Sequence, residues 1–592
     1  MKKNGFGNKE AYATARMKHI LPLLGMAAMV FLAGCAVSNQ QNGEEAALNA
    51  EKIVLSEKDM AMIEHCKMMP NMRGCDDYRE LEQKASGSMM PSNQGKGMMD
   101  DIRMDSQYTA SPGEDVLLSS LSPAKSTTIL TLDDGDTVEL TAEIVSKMIN
   151  GKSYKMYGYN GQIPGPVFKV KQGSTITVIF KNTIEWNTTV HWHGLRHNIK
   201  DDGVPWISQE PVQEGESFTY TTYFPDDGIF WYHPHIREDF QQDSGLAGNM
   251  LVVPSQAYNP VNREELLVLD DILIEDGDIV PYGSDHANFA IMGRFGNTLL
   301  VNGGTDYALD AMKGDVVRFY LTNVANVRPF NITFVGGKMK LVGSDLGQYE
   351  QEEYVDSILI APAERYIVDV FYEQEGNYAI LHTTPKRTYT LGSVRVSPSQ
   401  TDASYARSFD AMRENREVIS DVDHFREYFS KPVDYQLNLT IGLPMGMMKD
   451  MMKMDGDQER EKIEWEDTMQ MMNSHSDTSN IKWILKDGLT GKENMGIGMK
   501  AKVGDKLKIS LFNDPNSMHP MQHPIHLHGQ RFLVLSVDGV PTKNFAWKDT
   551  VLVPLGSTVD ILVDVTNPGE WMAHCHIAEH LEAGMMTALS VT

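Results

Sequence analysis

Basic residues are scarce in this chain. Against 80 Asp and Glu stand only 53 Lys and Arg, a formal net charge of −27. A surface this acidic repels nucleic acid and concentrates cations, so DNA or RNA is excluded as a partner. Cysteine is rarer still, with four in 592 residues, at 35, 66, 75 and 575. Only Cys66 and Cys75 lie close enough in sequence to bridge in an oxidising compartment. A bilayer-spanning apolar run is missing. The apolar stretch from Ile20 to Ala33 is too short to cross and reads as the core of an export signal. No Arg-Arg pair occurs, which argues against a twin-arginine export route. Methionine, by contrast, is abundant at 37 residues and unevenly spread.

Arg16 and Lys18 precede the apolar run, which ends in Leu32-Ala33-Gly34-Cys35. That ending resembles the bacterial lipobox. The resemblance implies that residues 1–34 are a signal peptide and that Cys35 is lipidated, so the lipid alone would touch the membrane. Ala36 stands where an Asp would retain such a protein. By the same analogy this favours the outer membrane of a Gram-negative cell, on its periplasmic face or at the cell surface. Met17 fits as the true start, since residues 1–16 add nothing to the signal.

A length of 592 residues is too great for one core and implies three or four domains. Residues 35–125 are polar, rich in Ser, Gly and Asn, and read as a flexible tether with Met and Cys. A helix is expected from Glu57 to Met69. From 126 the texture changes to short alternating strands with Gly and Pro turns, an all-β pattern. Three of these strands match. They begin near Thr175, Val316 and Lys506, each follows a turn containing Gly173, Gly314 or Gly504, and each ends in an Asn: 182, 323 and 513. This weak repeat suggests three β-sandwich domains, at 126–258, 259–400 and 433–592. Between the last two, 401–432 reads as a charged helical connector. A Met-rich insertion, 444–475, interrupts the third domain.

Ten of the eighteen histidines fall in four clusters. They are His191-Trp-His193, His233-Pro-His235, the run His523, His526 and His528, and the run His574-Cys575-His576 with His580. In a strand, His-x-His puts both imidazoles on one face. Neutral imidazole suits copper, and one thiolate with two imidazoles and a weak axial Met describes a blue-copper site.

These four clusters resemble the copper-ligand motifs of multicopper oxidases, over roughly 126–592. The resemblance implies three cupredoxin-like Greek-key domains, with the first and third sharing a copper cluster. It implies four coppers. His523, Cys575 and His580, with Met585 axial, would hold the type 1 copper. The type 2 copper would lie on His191 and His526. The type 3 pair would lie on His193, His233, His235, His528, His574 and His576. Cys575 sits between two type 3 ligands, so four single-electron oxidations can be pooled to reduce O2 to water. The family also places a proton-relaying carboxylate near the cluster. Asp202 matches it, although a turn residue before Gly203 would look the same. A second family carboxylate is replaced here by Leu581, with Glu579 and Glu582 as candidate substitutes.

The reductant is Cu(I) or a small organic molecule. Nine methionines lie between Pro444 and His475. Met447, Met451 and Met454 fall at helical spacing, as do Met448 and Met452. Such a stripe usually packs a core, but here Lys, Asp and Glu flank it, and thioethers in a polar setting suit soft Cu(I). Met521 lies two residues before His523, where the resemblance to bacterial cuprous oxidases implies a substrate-copper ligand. Met518 and His519 are further candidates. Cys66 and Cys75 could form a disulfide or, with the neighbouring Met68, Met69 and Met72, bind copper. The sequence thus points to a monomeric copper-tolerance oxidase that turns Cu(I) into Cu(II). The alternatives are a laccase-like phenol oxidase, an oxidase of Fe(II) or Mn(II), and a copper-binding store.

Overall fold

The computed structural model describes residues 109–255, 258–401, 403–443 and 461–592. Cys35, Cys66, Cys75, the expected 57–69 helix, and Met447, Met448, Met451, Met452 and Met454 lie outside them. The described chain is built from three pairs of packed sheets. Each pair forms one β-sandwich, as expected for three cupredoxin-like domains.

The repeat seen in the sequence has one physical basis. Thr175–Asn182, Val316–Asn323 and Lys506–Asn513 each pair in parallel with an earlier strand and antiparallel with a later one. Gly173, Gly314 and Gly504 hold φ of +86°, +93° and +98° in the preceding turns, where an L side chain is disfavoured. Each terminal Asn ties its strand to two carbonyls beyond it. Asn182 Nδ2 donates to Trp186 and Val212. Asn323 donates to Arg328 and Ile360, and Asn513 to Met521 and Val553. All three asparagines are buried, so these bonds satisfy carbonyls that water does not reach.

The three strands are buried differently. Thr175–Asn182 alternates, with Ile176, Val178 and Phe180 inward. Val316–Asn323 is buried along its whole length, because the second domain's six-stranded sheet is covered on its outer face by the first domain. There Tyr320 packs with Val167, Ile229 and Leu251, and Thr322 Oγ1 accepts from Asn249 Nδ2 at 2.6 Å. Arg318 survives burial by pairing with Asp369.

The connector carries the expected helical turns, Ala406–Asp410, Arg416–Val422 and Asp423–Ser430, anchored by buried Phe409, Val422 and Phe425. One segment differs from expectation. The end of the expected tether is docked: Thr109–Ala110 pairs with Tyr282–Gly283, and Gly113 N donates to Glu185. In the described part of the Met-rich insertion only Gln470–Ser474 is helical. Met469 and Met472 pack against the third-domain core, so the core-packing reading holds for those two.

Candidate metal centre

Strand register brings the histidine pairs together. His191–His193 lies antiparallel to Gly228–His233, with His191 opposite His233. In the third domain His526 lies opposite His574. The two domains then face each other. His191 lies 4.0 Å from His528 and His193 lies 3.7 Å from His526, between ring centroids. His235 reaches His574 at 5.4 Å, and His233 reaches His576 at 5.1 Å. Eight rings, all buried, therefore line one centre between the first and third domains.

Hydrogen bonds decide which nitrogen faces inward. Nδ1–H donates to a backbone carbonyl in His191 (Asp202), His233 (Pro234), His526 (Asp549) and His574 (Cys575), at 2.7 to 2.9 Å. Their Nε2 lone pairs are left for the centre. Nε2 of His191, His233, His235, His526 and His576 has no partner. His193 is inverted. Its Nε2 lies 3.0 Å from Asp549 Oδ1 and 3.1 Å from Thr550 Oγ1, and its Nδ1 is the unpartnered nitrogen. His528 Nε2 and His574 Nε2 face each other at 3.0 Å. Burial, aided by neighbouring histidines, holds His233, His528, His574 and His576 well below the usual imidazole pKa and His235 at about 3. Unprotonated imidazoles with converging lone pairs form a metal donor set.

A second set lies inside the third domain. Cys575 Sγ is 3.6 Å from His523 Nδ1 and 3.7 Å from His580 Nδ1, and the two nitrogens are 3.3 Å apart. The walls are apolar: Met521, Ile577, Met585 and Trp483 belong to the same core cluster. Trp483 stacks on His580 at 4.0 Å, held by its Nε1–H bond to Ala290 O. Met585 is fully buried, and its backbone bonds to both Cys575 and His580. Burial pushes the Cys575 thiol up, so its thiolate needs a cation beside it.

Asp202 is buried at the larger centre. Its Oδ2 accepts from His528 Nδ1 at 2.9 Å, and its Oδ1 lies 3.4 Å from His191 Nδ1 and 3.5 Å from His197 Nε2. Burial alone would raise its pKa, but His528 and His191 outweigh that and hold it well below the usual carboxylate range. Of the two proposed substitutes for the second carboxylate, Glu579 is engaged elsewhere. It accepts from Asn326 Nδ2 and Arg294 N, fastening the second domain to the third. Glu582 makes no described ion pair with the histidines.

Two carboxylates at the centre escaped the sequence reading. Glu238 lies 3.3 Å from His235 Nδ1. Its spacing of three residues after a histidine, on the short helix Glu238–Gln241, was the available signal. Asp549 touches His193 and His526 but stands 21 residues beyond the nearest histidine, His528. No local pattern marks it. Of the suggested substrate ligands, Met521 is fully buried, Met518 is half-buried and packs on the core, and His519 is buried close enough to bear on the protonation of His523 and His580.

The multicopper oxidase family model matches residues 141–257, 267–399 and 462–592. The chain belongs to the multicopper oxidase family. It is therefore a copper-dependent oxidoreductase that uses O2. A multicopper oxidase from Staphylococcus epidermidis is 28% identical over 74% of this chain and 83% of its own length. Copper resistance protein A from Escherichia coli is 25% identical, covering 77% of this chain and 93% of its own. Among solved structures, the multicopper oxidase of Pseudomonas thermotolerans aligns with a TM-score of 0.58 at 26% identity, over 78% of this chain and all of that one.

Proposed function

We propose that this multicopper oxidase holds four coppers and oxidises Cu(I) in copper tolerance, with the balance 4 Cu(I) + O2 + 4 H+ → 4 Cu(II) + 2 H2O. The donor sets fit. The buried histidines leave ring nitrogens without partners, and the buried thiol lies beside two imidazoles within an apolar wall, a set suited to copper. His523, Cys575 and His580 would hold the type 1 ion, with Met585 axial. His191 and His526 would hold the type 2 ion. His193, His233, His235, His528, His574 and His576 would hold the type 3 pair. When bound, these ions supply the redox capacity for four-electron reduction of O2.

The remaining chemistry belongs to the chain. Cys575 links the two donor sets covalently, because its peptide neighbours His574 and His576 line the larger centre. Asp202 accepts from His528 and stands ready to pass protons there. The apolar wall excludes water from the sulfur.

The observation that carries Cu(I) as reductant is the cover over the smaller site. His523 and His580 are 1% and 0% exposed. Gln522, next to His523, clamps the insertion: it accepts from Glu464 N at 2.7 Å and donates to Glu464 O at 2.9 Å. Asn473 fastens the same segment to Met292 N and Gly293 O. A bulky phenol is thereby kept from the histidine edges, while the thioethers of Met518 and Met521 and the His519 imidazole suit a small soft ion. The copper-resistance relative agrees with this reading. Steady-state O2 uptake with Cu(I), a phenol and Fe(II) tests it. Cu(I) should give the highest kcat/KM, a faster phenol would establish a laccase, and no uptake with any would leave a copper store. The same reading keeps the enzyme exported and anchored through lipidated Cys35, so Cys35→Ala should release it from the membrane fraction or block its processing.

A further inference from the structure

The second domain contributes no histidine to either donor set, yet one of its side chains reaches the larger centre. Arg365 opens the strand Arg365–Phe371 and is fully buried. Its Nε donates to Ile229 O of the first domain at 2.9 Å. Its Nη1 donates to Ala363 O in its own domain and, at 2.7 Å, to Asp549 Oδ1 of the third. Nη2 bonds the other Asp549 oxygen. The guanidinium is thus a three-way joint between domains, with a bidentate grip on one carboxylate.

That carboxylate is the one that holds the inverted ring. His191, His233, His526 and His574 are oriented by backbone carbonyls, which secondary structure already fixes. His193 has no such carbonyl; its Nε2–H is held by Asp549 Oδ1 and Thr550 Oγ1. Thr550 Oγ1 in turn donates to Asp549 Oδ1 at 2.7 Å, so both holders depend on where Asp549 sits. The packing leaves no slack. Gly194, at φ +87° beside His193, has no room for a Cβ, which would lie 2.3 Å from Asp549 Oδ2 and 2.9 Å from Arg365 Nη2.

We propose that Arg365 is a positioning residue for the copper centre: through Asp549 it fixes His193 in the orientation that turns Nδ1 toward the bound metal. The copper-free domain then sets the geometry of a centre it does not ligate. Removing such an outer partner of a metal-ligating histidine typically weakens metal binding roughly 10- to 100-fold. The loss should fall on the larger centre alone, because the Cys575 site shares none of these groups. The inference rests on the four-copper reading.

Its test is copper-loaded Arg365→Met, examined for copper per chain, the visible thiolate-to-copper band, the near-ultraviolet band of the type 3 pair and the type 2 paramagnetic signal. The visible band should keep full intensity. The type 3 band should be lost at free copper levels about 10- to 100-fold higher than in the parent, and Arg365→Lys should restore part of it. A single variant leaves Asp549 charged and unpaired in the interior, which can unfold a protein. The Arg365→Met/Asp549→Leu double variant removes both charges and should fold while showing the same selective loss. Folded variants with a native type 3 band and four coppers overturn the inference. A parent protein without the visible band or four coppers overturns the reading beneath it.

Discussion

The two donor sets share the strand Gly569–Cys575 but are made of opposite materials. The eight-histidine centre is lined by ionisable groups: Asp202, Glu238 and Asp549, with Arg365 behind. The His523–Cys575–His580 site is lined by indole, aliphatic and thioether groups. Under the proposed copper assignment, the difference follows from the chemistry each set would support. Reducing O2 to water takes up protons, so buried carboxylates belong beside that centre. Accepting one electron at a time needs no proton, only a rigid site that changes little between charge states. Apolar packing provides that rigidity.

The strongest way to break this contrast is Cys575→Ser. It should abolish the visible band and all turnover while the type 2 and type 3 signals of the larger centre persist. A blue serine variant would remove the thiolate from the argument. Next in size is Asp202→Ala. Turnover should fall about 10²-fold, the scale of a lost general acid–base group. Anaerobic bleaching of the visible band by Cu(I) should be unchanged, because that step involves the apolar site alone. Equal loss in both half-reactions would erase the proposed division of labour.

Metal-free protein offers a pH test. Burial depresses the histidine pKa values in both regions, to about 3 for His235 and His523, against about 6.5 in an unfolded chain. Between those values the unfolded state binds more protons, so stability is full above pH 6.5 and is lost as pH falls. Each such histidine contributes up to about 1.4 kcal/mol per pH unit. Urea midpoints should therefore drop steadily between pH 6.5 and 4.5. A midpoint constant over that window would contradict the buried, neutral rings.

Asn513→Ala should cost about 2 kcal/mol by orphaning the buried carbonyls of Met521 and Val553. Because Met521 lies two residues from His523, the visible band should shift, while Asn323→Ala should destabilise comparably and leave the spectrum alone. The smallest effect is expected from Met521→Leu. Volume is conserved, so stability should change by less than about 1.5 kcal/mol. The kcat/KM for Cu(I) should fall more than that for a phenol, and an equal change in both would leave Met521 as packing only.

Much of the site was legible because histidine pairs and the His-Cys-His run are local patterns that strand geometry converts into convergent rings. The strand repeat was legible for a related reason: a glycine that permits the turn and an asparagine that ties off the strand recur at matching places. Glu238, Asp549 and Arg365 were not legible as a group. They come from three domains, and Arg365 meets Asp549 only where the second and third domains touch. Leu581 occupies the position where the family pattern places a carboxylate, while Glu238 lies beside His235 in another domain.

The sequence by itself determined the kind of metal and the kind of fold, since ligand type and strand period are set within a few residues. Tertiary structure alone decided which nitrogen of each ring faces inward, which carboxylates stand beside them, and how deeply the thiol-bearing site is covered. Those properties depend on hydrogen bonds and burial between segments hundreds of residues apart, from His193 to Asp549, and no local pattern encodes such a distance.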